Sequence, residues 1–384
     1  MTSRLLFLVI SALFFFSGLA RAQDLNDVTL VVPEKYRQGV FGDKLALKAM
    51  PGLKVSVFYA GSPGARFMAA DKSGTIYLSV PEDGVVLALP DRDGDGAADE
   101  PVTFARGLKR PHGLVFKDRA LIVAETGRLV ELKDENGDLK ADSTRVISRD
   151  LPSGGGHWTK SIDIGPDNAI YVSTGSSCNA CIEKDRRRAA VVRFKDSGKA
   201  EIFASGLRNS VGIEFHPKTG ELWGVDNGRD GLGDDIPPEE LNRIELGGDY
   251  GWPFCYGKKQ PDTDFGSAER CKDTVPPAVE MQAHSAPLGV AFGYSLKFPE
   301  RLRNVLYIAF HGSWNRSVPT GYKVIAIPFG DGKPSGKPFD VITGWLSGGE
   351  AWGRPVDALV GRDGALYISD DKAGAVYRVT YGGD

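Results

Sequence analysis

The stretch from Gly206 to Trp252 combines a cationic donor with an acidic, glycine-broken loop. Arg208 and Asn209 precede a short apolar strand, a tight turn and a second strand predicted over 221–225. A hairpin of this kind brings that pair to the same edge as the residues that follow, Asp226-Asn227-Gly228-Arg229-Asp230. A metal ion beside an anionic ligand requires such a combination of charges.

His157 follows three consecutive glycines, which allow the backbone to approach a ligand closely. A neutral imidazole accepts a proton efficiently near neutral pH, so His157 is a candidate general base. The alternative is a histidine that is hydrogen-bonded into its loop. A predicted position on the same rim as Arg208 favours the base, with His112 and His284 as the second choices.

One unit recurs six times: an outer strand ending near Ala-x-Gly-Leu, an apolar strand, a Gly or Asn turn, and a strand that often has Tyr and Ser between apolar residues. Periods of roughly 45 to 60 residues are typical of four-stranded propeller blades. Residues 54–61 resemble an outer strand but precede the first unit, so they would complete the last blade. The sequence therefore predicts an all-β chain, with residues 23–384 forming a single six-bladed β-propeller of four-stranded antiparallel blades.

In such a blade, the loop entering the innermost strand and the loop between the second and third strands lie on one face. Four of the five histidines fall in these loops, which is difficult to explain by packing alone. The polar residues predicted on this face are Arg66, His112, His157, Arg208, Asn209, His284 and Arg354 in the entry loops, and Glu125, Ser176, Ser177, 226–230, 311–316, Asp370 and Asp371 in the others.

Residues 1–22 have the pattern of a cleaved secretory signal peptide: Arg4, an apolar run to about Leu19, and the small residues Ala20 and Ala22. Cleavage would leave 45 basic against 50 acidic residues, a net charge of about −5. This charge argues against a nucleic-acid partner. No other apolar run approaches the roughly 20 residues needed to span a bilayer. The mature chain is predicted to be periplasmic or secreted.

The four cysteines lie as two close pairs, Cys178 with Cys181 and Cys255 with Cys271. Three pairings are possible, and the spacing together with an oxidising compartment favours two short-range disulfides. A redox role for the first pair is the alternative. Attachment of a c-type haem is excluded because Ile182 stands where that motif needs His. The densest basic run, 186–188, is interpreted as a solvated loop.

A separate acidic segment has carboxylates at alternate positions and Gly96 at the sixth, like the first half of an EF-hand calcium loop. Val102 stands where the bidentate Glu belongs, so calcium binding and a solvated turn both remain open. The candidate ligands are Asp91, Asp93, Asp95 and Asp99. A weaker copy at Asp134, Asn136, Asp138 and Asp142 is interpreted as a solvated turn.

Five blocks are distinctive because they occur together in one chain: GGGHWTKSIDIGPDNAIYVS, GLRNSVGIEFHP, VDNGRDGLGDD, GGDYGWP and HGSWNRSVPTGYKVIAIPF. Together they resemble the soluble PQQ-dependent sugar dehydrogenases, which include glucose, aldose and sorbosone dehydrogenases. The resemblance covers nearly all of the mature chain. It implies a six-bladed propeller that holds pyrroloquinoline quinone (PQQ) and a calcium ion at the mouth of its channel.

Position by position, the resemblance implies that His157 takes the proton of the sugar hydroxyl while hydride passes to the quinone, with Arg208 also in the catalytic site. It assigns the calcium to the backbone carbonyls of Gly228 and Arg229. The implied cofactor contacts are Arg208, Asn209, Asn227, Trp314, Arg316, Lys323 and Arg354. The family's glucose dehydrogenases have Pro at the position of Arg229 and a second arginine at that of Val356, so the resemblance leaves the sugar open.

The predicted function is therefore a PQQ- and calcium-dependent oxidation of an aldose or related sugar, with a periplasmic quinone or cytochrome as electron acceptor. A calcium-dependent lactonase on a similar propeller is the alternative enzyme. The cluster of Arg and Lys favours the dehydrogenase, since PQQ carries three carboxylates and a neutral lactone needs no such cations. A non-catalytic propeller that binds a partner or a glycan is the third hypothesis.

Overall fold

The computed structural model describes residues 25–43, 45–195 and 198–382, so the predicted signal peptide lies outside the described residues. Nearly all regular structure in this part of the chain is β-strand. The helices are two short α-helices, Ala268–Cys271 and Glu300–Arg303, and three 3-10 turns, Glu34–Tyr36, Gly39–Gly42 and Gly293–Ser295. Among the described residues, no helix has the length and apolar character needed to cross a membrane.

The strands form antiparallel sheets that we number by the chain order of their innermost strands. Sheet 1 contains Met68–Ala70, Ile76–Val80, Val85–Leu89 and Val102–Ala105; sheet 2 contains Leu114–Lys117, Ala120–Glu125, Arg128–Lys133 and Ser143–Ser148; sheet 3 contains Ile162–Ile164, Ile170–Thr174, Ala190–Phe194 and Ala200–Ser205. Sheet 4 contains Ser210–Phe215, Leu222–Asp226, Glu239–Ile244 and Val279–Met281.

Sheet 5 has seven strands: Pro287–Phe292, Val305–Phe310, Lys323–Gly330 and Phe339–Thr343, then Ala46–Ala49 and Asn26–Thr29, with Lys333–Pro334 paired to the third. Sheet 6 contains Pro355–Val360, Leu366–Asp370, Ala375–Tyr381 and, as its outer strand, Leu53–Ala60. Two short hairpins stand apart, Cys255–Tyr256 with Gln260–Pro261 and Leu346–Ser347 with Glu350–Ala351.

The second strand of every sheet is buried along its whole length. Neighbouring sheets cover both of its faces, so these strands are rich in apolar and small residues and do not alternate strictly between apolar and polar ones. Toward the centre, space is tighter: a Cβ on Gly212 would lie 2.1 Å from the carbonyl oxygen of Leu288 in the next sheet. Glycine there lets the innermost strands of two sheets approach each other.

The innermost strand of each sheet contacts those of its two neighbours, from sheet 1 through sheet 6 and back to sheet 1. Together they surround a central cavity of about 320 Å³. Closure depends on Leu53–Ala60, which pairs with Ala375–Tyr381 as predicted.

The prediction of an all-β propeller with four-stranded antiparallel blades is confirmed. Five of the six predicted blades stand as separate four-stranded sheets, and the remaining repeat lies within the seven-stranded sheet 5.

Candidate active site

Polar loops from sheets 3, 4, 5 and 6 lie together at one end of the central cavity. We call this end the mouth. Asn315 donates to Asp230 at 2.6 Å, which joins the loops of sheets 5 and 4. Arg354, entering sheet 6, donates to the carbonyl of Gly312 at 2.7 Å. The mouth comprises the segments 153–161, 175–188, 208–209, 227–239, 283–286, 311–322 and 354. The predicted grouping of entry loops with loops between second and third strands therefore matches these contacts.

The hydrogen bonds of His157 determine which of its ring nitrogens can accept a proton. Its Nδ1 lies 2.7 Å from Ser176 Oγ, and the Ser176 hydroxyl donates to the carbonyl of Cys178 at 2.7 Å. Because that hydroxyl has only one proton to give, its oxygen must accept the second bond from Nδ1–H. The lone pair of His157 is consequently on Nε2, as a general base requires.

The surroundings of His157 keep its ring neutral. Burial lowers the pKa of the imidazole to about 4, and the guanidinium of Arg208 and the ammonium of Lys160 add to this, while a hydrogen bond to the backbone of Ser176 opposes it. A cation is disfavoured in a poorly solvated, positively charged place. His157 therefore stays unprotonated over the whole range near neutral pH.

Arg208 is buried, and its guanidinium bonds to the loop that contains Asn179 and to the loop that begins at Asn227. Its Nε and one terminal nitrogen donate to the backbone and side-chain oxygens of Asn179, each at 2.8 Å, and its other terminal nitrogen donates to the carbonyl of Asn227 at 3.0 Å. Asp230 is its only carboxylate partner among the described residues, at 3.4 Å. The guanidinium therefore bonds mainly to neutral oxygens, while the carboxylates of Asp226 and Glu239 act on its charge without a hydrogen bond to it.

The loop after Asn227 exposes backbone carbonyls. Both amide hydrogens of Asn227 go to the carbonyls of Asn209 and Pro287. The Gly228 N–H is bound by the carboxylate of Glu239, at 2.9 Å. No hydrogen bond from the described residues reaches the carbonyl oxygens of Gly228 or Arg229. Oxygen atoms without donors are suitable ligands for a hard cation such as calcium.

The carboxylate of Glu239 joins two loops of the mouth, because its other oxygen accepts the N–H of Ala286 at 2.9 Å. Burial raises the pKa of Glu239 to about 8, against the lowering effect of these two bonds. The side chain of Arg229 points away from the mouth, toward the carboxylates of Asp262 and Asp264. Only the backbone of Arg229 is thus placed for a role at the mouth.

Three of the other predicted cofactor contacts lie at the mouth, and a fourth, Lys323, does not. Arg354 donates to the carbonyls of His311 and Gly312, and Arg316 to the carbonyl of Ala283 and to Asp235. Trp314 lies between Gly312 and Arg316 in the loop 311–322, and it is 77% exposed. These three residues belong to the mouth.

Lys323 is not brought together with the other predicted contacts. Its ammonium lies 2.7 Å from Asp340 on the fourth strand of sheet 5. Both residues border a surface groove that also contains Glu280 and Met281 of the outer strand of sheet 4. As the first residue of its strand, Lys323 directs its side chain along the sheet toward Asp340.

The alternative bases are less available than His157. His284 donates from Nε2 to the carbonyls of Gly233 and Ile236, and its Nδ1 accepts from Asn315. His112 is fully buried, and its Nε2 has no hydrogen-bond partner in the described part of the chain. His284 thus fixes loops, and His112 is closed off from a ligand.

Two cations at the mouth were not predicted from the sequence. Lys160 is 1% exposed and donates to the carbonyls of Trp158 and Thr159, and burial lowers its pKa to about 7. Arg188 is 8% exposed and donates to the carbonyls of Ser153, Gly154 and Gly175.

The interpretation of 186–188 as a solvated loop is therefore wrong for its last residue. Arg186 is exposed and Arg187 pairs with Asp150 and Asp185, while Arg188 turns inward under the glycine run before His157. Charge runs are normally solvated, and no sequence signal distinguished the one arginine that faces backbone carbonyls.

Both predicted disulfides are present, Cys178–Cys181 and Cys255–Cys271, which account for all four cysteines. The first closes the loop between the second and third strands of sheet 3, at the mouth. The second lies in the insertion before the outer strand of sheet 4.

The two acidic segments connect third to fourth strands in sheets 1 and 2, as predicted. Asp91, Asp93 and Asp95 offer carboxylate oxygens within 4.8 Å of one another, and Asp91 Oδ1 is buried without a hydrogen-bond donor. Asp99 instead accepts from the backbone and side chain of Arg92. In the second segment, each carboxylate accepts backbone N–H bonds within its own turn.

Comparison with known proteins assigns this chain to a family. A family model described as TrAA12-like matches residues 47–382. An uncharacterized protein of Borreliella burgdorferi is 31% identical over 351 residues, which cover 87% of this chain and 91% of that protein.

A pyrroloquinoline quinone-dependent pyranose dehydrogenase of Coprinopsis cinerea is 25% identical, with 85% of this chain aligned to 53% of that protein, so this chain spans about half of its length. The holo form of the pyranose dehydrogenase PQQ domain from the same organism matches with a TM-score of 0.76 and 20% identity, covering 91% of this chain and 99% of that domain. The structural likeness supports the propeller fold.

Proposed function

Because the chain belongs to the TrAA12-like family, we propose that it is a PQQ- and calcium-dependent dehydrogenase that oxidises an aldose or a related sugar such as a sorbosone. The named PQQ dependence of the Coprinopsis cinerea relative supports the cofactor. We count the seven-stranded sheet 5 as the sixth blade, since its innermost strand occupies one place in the closed cycle of inner strands.

The observation that carries this proposal is a group of cations at the mouth that lack a close carboxylate partner. Arg188, Arg354 and Lys160 donate to backbone carbonyls, and no carboxylate among the described residues lies within ion-pair distance of them. Within the described residues, the one ion pair of Arg208 is its 3.4 Å contact with Asp230. Buried cations are normally paired, so a cluster of this kind fits an anionic ligand with several carboxylates.

Each predicted residue then has a role that its surroundings allow. When bound, PQQ supplies the acceptor for the hydride that leaves the sugar carbon. His157 takes the hydroxyl proton of the sugar at Nε2, which its bond to Ser176 leaves unprotonated. Arg208, Asn209, Asn227, Arg316 and Arg354 would hold the cofactor, and Trp314 would cover it at the rim. The carbonyls of Gly228 and Arg229 would hold the calcium ion.

We propose that the protein acts outside the cytoplasm and passes its electrons to a separate acceptor. The two disulfides are consistent with a periplasmic or secreted protein. There the electrons would pass from the reduced protein to a quinone or a cytochrome.

Reconstitution tests the proposed function. Protein treated with a chelator and freed of quinone should gain dye-linked sugar oxidation only when PQQ and calcium are both added, with a change in quinone absorbance on binding. Full activity with neither added would refute the proposal. Hydrolysis of a sugar lactone with calcium alone would instead support the lactonase.

A further inference from the structure

The Cys178–Cys181 loop contacts Arg208 directly and His157 through Ser176. Asn179 lies at its exposed tip, yet all of its polar atoms except the backbone N–H are engaged. Its backbone oxygen and Oδ1 each accept from the Arg208 guanidinium at 2.8 Å. Oδ1 also accepts the N–H of Asp230 at 2.8 Å, and Nδ2 donates to the carbonyl of that residue at 3.0 Å. Asn179 thus fixes the direction of Arg208 relative to the loop of sheet 4.

The same loop determines the tautomer of His157. The buried Ser176 hydroxyl donates its hydrogen bond to the carbonyl of Cys178, which obliges Ser176 Oγ to accept from His157 Nδ1–H. If the Cys178 carbonyl moved away, the hydroxyl could rotate and donate to the ring. The lone pair needed at Nε2 would then be lost in part of the molecules.

We propose that the disulfide-closed loop 178–181 is a shared positioning element for His157 and Arg208, and that Asn179 is its positioning residue for the arginine. This inference rests on the proposed function in assigning the two side chains to catalysis and cofactor binding. A loop of four residues without the covalent bond would have many more conformations, so opening it should release both contacts.

The Cys178–Cys181 bond is also the more accessible of the two disulfides. Cys178 and Cys181 are half-buried, whereas Cys255 and Cys271 are 5% and 1% exposed. An external dithiol can therefore open the first bond selectively. It supplies two electrons and two protons, two cysteine thiols form, and the dithiol becomes a disulfide.

The first experiment needs no cofactor. In native apo-protein, ¹⁵N spectra of the imidazole should show His157 protonated at Nδ1, with a pKa near 4. In Cys178→Ala/Cys181→Ala, or after mild dithiol treatment, we expect a mixture of tautomers. The His157 pKa should rise by about one unit or more toward 6.5, because water reaches the loosened ring. Treatment of the folded native protein keeps the test valid if the double variant does not fold.

The second experiment separates Asn179 from the disulfide. Asn179→Ala removes the Oδ1 contacts but keeps the Cys178 carbonyl, so His157 should keep its proton at Nδ1. PQQ should nevertheless bind about tenfold more weakly, since one charge-assisted bond that orients Arg208 is lost. The double cysteine variant should show both effects.

Cys255→Ala/Cys271→Ala is the matched control and should leave the His157 spectrum as in the native protein. An unchanged His157 pKa and tautomer in the open loop, with PQQ affinity of Asn179→Ala within about twofold of native, would overturn the inference. If native protein binds no PQQ, the proposed function fails, while the spectra still decide whether the loop positions His157.

Discussion

The carboxylate of Glu214 accepts the backbone N–H of Phe292 at 2.9 Å, which joins the innermost strands of sheets 4 and 5. Asp163 and Asp357 make the same kind of bond across two other sheet boundaries, and all three carboxylates line the central cavity. Burial raises the pKa of Asp163 to about 6 and that of Asp357 to about 7. Burial, with the charges of Asp163 and Asp357, raises the pKa of Glu214 well above its ordinary value.

Because of these three carboxyl groups, we expect the free energy of unfolding to fall as pH rises. The folded state holds their protons more tightly than the unfolded chain, so their contribution is complete below the unfolded pKa of about 4 and is lost as pH passes the folded values. Glu214→Gln keeps an acceptor for Phe292 without a charge. We expect it to raise the free energy of unfolding at pH 8 by about 1–3 kcal/mol and to change it little at pH 4.

Urea denaturation at pH 4 and pH 8 measures this difference. Glu100→Gln, at an exposed position, is the control and should have little effect at either pH. An equal change for Glu214→Gln at both pH values would show that its effect is packing and not titration.

Replacement of the proposed base should affect turnover and not cofactor binding. His157→Ala should lower the rate of sugar oxidation at saturating PQQ by roughly 100-fold or more, the usual contribution of positioned proton transfer. The PQQ dissociation constant should change little, since cofactor affinity depends on the cations and calcium. Ser153→Ala, with an exposed side chain in the same loop, is the control. A parent rate in His157→Ala would make His157 a structural residue.

The low pKa of His157 predicts the pH dependence of the native rate. Because the ring is neutral above its pKa of about 4, the step that depends on it should be constant from pH 6 to 8 and should fall as pH decreases toward 4. Steady-state rates with a saturating sugar measure this profile. An acidic limb centred near pH 6.5 would contradict the assignment.

The placement of Lys323 and Arg354 predicts different effects on PQQ affinity. Arg354→Ala removes a mouth cation that donates to two carbonyls and pairs with no carboxylate in the described part of the chain, so it should weaken binding by about 10- to 100-fold. Lys323→Ala should change affinity by less than about twofold, because its ammonium pairs with Asp340 away from the mouth. Titrations followed by quinone absorbance compare the two. A loss in Lys323→Ala as large as that in Arg354→Ala would favour the contact implied by the family resemblance.

The Asp91 segment predicts a second class of calcium site, apart from the mouth. Calorimetric titration should detect two classes of site in native protein and one in Asp91→Asn/Asp93→Asn, because that variant removes two of three converging carboxylates. Asp134→Asn/Asp138→Asn is the matched control in the neighbouring sheet and should retain both classes. One class of site in native protein would identify the segment as a solvated turn.

Local patterns in the sequence were sufficient to predict the four-stranded blades, the ring closure by residues 54–61 and both disulfides. Each depends on contacts between neighbouring segments or on a pattern repeated along the chain. The repeat also predicted which loops share a face, because successive loops of an antiparallel blade alternate between its two ends. His157, Arg208 and Arg354 were grouped on this basis: the loop of Ser176, which holds His157, contacts Arg208, and Arg354 contacts the loop at 311–312.

The sequence by itself therefore determined the class of fold, the covalent cross-links and the residue types available at the mouth. Only the tertiary structure decided the partners of each side chain: Lys323 with Asp340, Arg188 with the backbone before His157, and Asn179 with Arg208. Such choices depend on loops that are distant in sequence, and on burial that no local pattern reports. The tautomer of His157 is decided in the same way, since it follows from the hydrogen bond that the Ser176 hydroxyl donates to the carbonyl of Cys178.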